Sequence, residues 1–147
     1  MATTKKTTTP TAVDAAPAAQ PTPTEIADRQ HARLLRRSED ALEVARGAIK
    51  RFTECLTTDP AYAMAESRCA FEAAAAIKVH SMALRILNAV DHDTTKEMQI
   101  GYLTGYATDE TLRYARNPPS STSAASNTLD LAVMECWATF ADYLRGR

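Results

Sequence analysis

Residues 34–60 read LLRRSEDALEVARGAIKRFTECLTTDP, and their spacing decides the fold. Leu35, Leu42, Ile49 and Leu56 recur every seven residues, while His31, Ser38, Ala45 and Phe52 fill the alternate seam position. Such a repeat lays one narrow apolar stripe along a helix, the geometry of packing against a single long partner. "TTDP" ends the stretch: Asp59 can cap a new helix, and Pro60 suits a first turn but bars continuation of the old one. With so short a linker, the next helix must return antiparallel and form a hairpin.

The returning arm is predicted from Pro60 to about Val90, with Tyr62, Cys69, Ala76, Ala83 and Val90 as its own seven-residue series. At ~1.5 Å per residue each arm is roughly 45 Å long. Folding about the turn pairs residues whose numbers sum to about 118. That register sets Leu42 against Ala76, Ile49 against Cys69, Ser38 against His80 and Arg46 against Glu72. Around Cys69 to Ile77 the second arm is small and apolar on nearly every side except at Glu72, which calls for neighbours on more than one face.

Residues 1–21 consist mainly of Thr, Ala, Pro and Lys and cannot repay the entropy of ordering, so a disordered tail is expected there. Residues 22–147 are read as a single helical domain that opens with a capping box, Thr22, Pro23 and Glu25. Beyond the hairpin, Thr94 with Glu97 predicts a third helix that ends by Asn117, ahead of Pro118 and Pro119. Gly101 and Gly105 each lower its helicity by ~1 kcal/mol, so its continuity through them and past Thr108 is left open. Asn127 with Asp130 predicts the start of a terminal helix that sets Leu129, Val133, Trp137, Phe140, Ala141 and Leu144 on one face. The expected fold is all-α: a long antiparallel helical hairpin plus two shorter helices, forming a four-helix bundle with a disordered N-terminal tail. Only four glycines in 147 residues agree with that class.

Composition narrows the chemistry. Net charge is −1, but residues 1–37 carry Lys5, Lys6, Arg29, Arg33, Arg36 and Arg37 against three carboxylates, so the front end alone is basic. Cys55, Cys69 and Cys136 form an odd set without a C-x-x-C pair, which argues against a disulfide framework or structural zinc and for reduced thiols in a cytoplasmic protein. No apolar run reaches the ~18 residues of a membrane span, and no signal core follows the N-terminus.

Three constellations are weighed. Glu72 lies one turn from Arg68 and, by register, opposite Arg46; a structural ion pair with one of them is preferred to catalysis, since no second acid, base or ligand accompanies it. Ser38 and His80 are expected to make a polar layer in the seam. Arg29, Arg33, Arg36 and Arg37 make a basic patch that could contact nucleic-acid phosphates, although Glu39, Asp40 and Glu43 follow at once. "DHD" at 91–93 is read as a turn. No nucleotide loop, hydrolase elbow, H-E-x-x-H or paired E-x-x-H occurs, so catalytic residues, cofactors and metals are all expected to be none. The function expected is a non-enzymatic interaction or assembly protein acting through apolar helix faces: an adaptor, an inhibitor or a self-associating homo-oligomer. A small nucleic-acid-binding regulator using Arg29 to Arg37 is the alternative.

Overall fold

A computed structural model describes residues 20–91, 93–117 and 124–146. Among them are five α-helices and no strand: α1 (Pro23–Thr58), α2 (Pro60–Ala65), α3 (Ser67–Leu87), α4 (Lys96–Arg116) and α5 (Ala124–Leu144). The expected tail up to residue 19 and the proline-serine loop at 118–123 lie outside the described residues.

The capping box at Thr22 forms, with Glu25 N–H donating to Thr22 Oγ1 at 3.3 Å and Thr22 N–H donating to Glu25 Oε2 at 2.8 Å. Asp59 caps the end of α1 and, through its carboxylate, accepts from Tyr62 N–H at 3.1 Å to start α2. The hairpin register follows: His31 Nε2–H donates to Leu87 O at 3.0 Å, and Ser38 Oγ lies 3.3 Å from His80 Nδ1. Both pairs sum to 118.

Three expectations change, and one open point is decided. The returning arm is not one helix: Glu66 (φ −84°, ψ 0°) interrupts it, so that α2 leans onto α1 and buries Ala63 completely. The cap of α4 is Thr95, which accepts from Met98 N–H, because Thr94 is used in a turn to Asp91 O. Next, α4 runs unbroken through Gly101, Gly105 and Thr108. The hydroxyls of Thr104, Thr108 and Thr111 turn back onto carbonyls one turn earlier and satisfy themselves within the helix. Finally, α5 begins at Ala124, three residues before Asn127.

The bundle pairs α1 most extensively with α3, then α3 with α5 and α5 with α4, while α1 meets α4 on the remaining side. His80 meets Phe140 edge-on, Phe140 meets Trp137, and Trp137 meets Tyr106, so one aromatic chain ties α3, α5 and α4 together. Leu34, Val79, Leu87, Leu103, Val133 and Phe140 are sealed around it. Burial on α1 extends from His31 through Leu34, Ser38 and Leu42 to Ala45 and then fades. Leu56, the last residue of the heptad series, is half exposed.

Replacing Phe140 with Ala should cost about 3–5 kcal/mol in chemical denaturation, as deletion of a sealed core aromatic does. Gly101→Ala and Gly105→Ala should each add about 1 kcal/mol instead, since both glycines are exposed in mid-helix with open space where a Cβ would stand.

Candidate functional site

The side of the hairpin away from α4 carries an open groove of about 740 Å³ between α1 and α3. Its floor is small and apolar: Ala41, Ala45 and Ala48 from α1 face Ala73 and Ala76 from α3. Alanine at these positions lets the two backbones close tightly and leaves the outer side of the seam unfilled. Val44 stands on the rim, 70% exposed. One end is basic, with Arg33, Arg36 and Arg37 lining it beside Tyr143 from the end of α5. The guanidinium carbon of Arg37 lies over the Tyr143 ring, 4.0 Å from its centroid, a cation–π contact that helps hold the side chain in place. Arg36 approaches Asp40 at 3.8 Å, an exposed pair worth little.

The groove gathers most of the residues singled out from sequence, in changed roles. Glu72 lies at the far end and is exposed, not set in the core. Its arc of α3 is covered only from about Ala75 onward; at Glu72 a surface recess remains between α3 and the first turns of α5. The carboxylate takes Arg68 Nε at 2.9 Å, one turn away on the same helix, whereas Arg46 is exposed and makes no ion pair with it. Of the basic patch, Arg29 falls outside the groove and lines a smaller recess with Ile26 and Leu144.

His80 and Ser38 occupy the seam under the basic end. Burial first, and then the Arg37 charge, holds the His80 imidazolium down relative to an ordinary histidine. Although serine and imidazole touch, Ser38 is completely buried within a helix. No substrate reaches its hydroxyl, and helical N–H groups are already spent, so no oxyanion hole stands beside it. Thiol chemistry is disfavoured as well. Cys69 is exposed, but a hydrogen bond to Glu66 and then that carboxylate's charge raise its pKa; burial pushes Cys136 to about 11. Among the described residues no cluster of three or more His, Cys, Asp or Glu side chains is placed to hold a metal ion, and no helix is long and apolar enough to cross a membrane. His92, the centre of "DHD", lies outside the described residues.

Sequence reasoning did not find the groove or Tyr143, because Arg37 and Tyr143 are far apart in the chain and only the packing of α5 brings them together. An available signal was Val44, an apolar residue off the heptad seam on the same side of α1 as Ala41 and Ala48. No family model, curated protein or solved structure matches the chain.

Two outcomes follow from this geometry. Glu72→Gln should change stability at neutral pH by less than about 1 kcal/mol, as expected for an exposed pair. Stability of the parent should fall as pH drops through about 6.5: the unfolded chain then protonates His80, whose folded pKa is lower, so the unfolded state gains protons first. Urea midpoints measured from pH 7.5 to 5 should show a shallower fall in His80→Gln.

Proposed function

We propose that the protein is a non-enzymatic interaction or assembly protein that works through the outer face of its helical hairpin, in a reducing, cytoplasmic setting. The observation that carries this reading is the exposed apolar surface that runs from α1 around the turn into α2. Val44, Leu56, Tyr62 and Met64 are each half or more in solvent, with Met64 79% exposed. Half-buried Phe52 and Cys55 continue that surface beside Tyr62. A hairpin end with so much apolar side chain and no covering helix is suited to a partner. The absence of an activated nucleophile around the groove agrees with a role in binding.

The alternative of nucleic-acid binding draws on Arg29 and Arg33, which make no ion pair among the described residues. Binding of that kind should weaken steeply between low and moderate salt, by orders of magnitude for several phosphate contacts, while an apolar interface should change little.

The interaction reading is tested on the double variant Leu56→Ser, Met64→Ser, both exposed positions whose change should leave the fold intact. Sedimentation of purified protein, or stoichiometric co-purification from native host lysate, should show an assembly in the parent that weakens about tenfold or more in the variant. A parent that stays monomeric and brings down no stoichiometric partner would contradict it.

A further inference from the structure

We propose that the groove between α1 and α3 docks a protein helix with a small-residue apolar face and carboxylates gathered at one end. The inference rests on the interaction reading above and supplies the chemistry of the partner.

Shape gives the first argument. From Arg33 to Ala48 the groove follows α1 for about 22 Å, the length of a helix of roughly fifteen residues. It is open along its length, and its floor is alanine on both sides, so a third helix could approach at the close end of the 8–10 Å range for packed helices. Approach that close over an alanine floor requires an incoming face of small and medium apolar residues, since larger side chains would hold the helix farther out.

Charge gives the second. Arg33, Arg36 and Arg37 lie at one end, with Asp40 the one carboxylate lining it; at the other end Glu72 is already held by Arg68. The field along the groove is therefore lopsided, positive at the α1 N-terminal end and close to neutral at the other. The contact with Tyr143 holds Arg37 at the groove end, where its N–H groups can meet a carboxylate, a group that arginine recognises best when two N–H donors engage. A nucleic-acid duplex would answer the arginines but has nothing to set against Val44 and the alanines.

His80 lines the same end, and the Arg37 charge weighs on its imidazole. Docking any helix buries His80 further and makes it harder to protonate. A carboxylate seated on Arg37 offsets the Arg37 charge, so an acidic partner should leave His80 easier to protonate than a basic one. That response would not follow from apolar contact alone.

The test uses the full chain and a fluorescent designed helix of roughly 18 residues, alanine and leucine on one face and three glutamates in one terminal turn, at about 150 mM salt. A matched helix with lysines in place of the glutamates is the control. The acidic helix should bind about tenfold more tightly than the control, Arg33→Glu should weaken it about tenfold, and Val44→Gln should weaken it several-fold. All three positions tested, Arg33, Val44 and the control Lys78, are exposed, so melting temperature should hold. Lys78→Glu, on the opposite side of α3, should leave binding unchanged. The His80 ring titration, followed by NMR, should lie higher with the acidic helix at saturation than with the lysine control at saturation.

Equal binding of the two helices, or indifference to Arg33→Glu, overturns the proposal. A dimer that Val44→Gln dissolves and that excludes the helix overturns it in favour of a second copy. Duplex DNA bound more tightly than the helix, sensitive to Arg33→Glu but not to Val44→Gln, overturns it in favour of nucleic acid. If the groove variants behave as the parent while Leu56→Ser, Met64→Ser still dissolves the native assembly, this inference fails and the interaction reading stands.

Discussion

The close approach of α1 and α3 governs everything else in the molecule. Small residues at Ala45, Ala73, Ala75 and Ala83 let the two helices meet, and two hydrogen bonds, His31 to Leu87 O and Ser38 to His80, fix which residues stand opposite each other. Polar atoms buried in a seam are costly unless paired, so a slip of one residue would strand both histidines. Register is thus set by what would be lost as much as by the apolar stripe. Once it is set, Phe140 has one place to go, against His80, and the aromatic chain through Trp137 and Tyr106 brings α5 and α4 into position.

The same small residues have a second effect. Alanine is too short to fill space on both sides of a helix pair. On one side α4 and α5 supply the missing volume with Leu103, Val133, Trp137 and Phe140. On the other side nothing in the described chain does so, and the groove results. Core and groove are therefore two faces of one packing decision, and the exposed apolar residues of the hairpin continue from it.

Much of this architecture was legible in the residues. The seven-residue spacing, Asp59–Pro60 and the capping box at Thr22 specify the hairpin, and the Ser38–His80 register could be counted off the turn. Each depends on local chemistry or on one short connection. What escaped depended on helices distant in sequence. Glu72 lies on the arc of α3 that faces the core further along, and only the place where α5 begins to cover α3 explains its exposure. Leu34 outranks Leu35 in burial because it belongs to the core that α3, α4 and α5 complete, whereas Leu35 only packs against its edge. The interruption at Glu66 has no Gly or Pro to announce it; it is the backbone's answer to α2 leaning on α1 and burying Ala63. The groove needed Tyr143 to reach Arg37, a juxtaposition made by tertiary packing alone.

The central proposal is that the hairpin's outer face is covered by a partner when the protein is at work; α4, which also exposes apolar side chains, serves as the reference surface. Hydroxyl-radical footprinting reads both in one experiment, because Val44 and Met64 report on the hairpin and Met98 and Leu112 on α4, all of them exposed in the free chain. Comparing purified protein with protein in its native lysate, the account predicts several-fold protection of Val44 and Met64 and none of Met98 and Leu112. Equal modification of all four in both samples would contradict it.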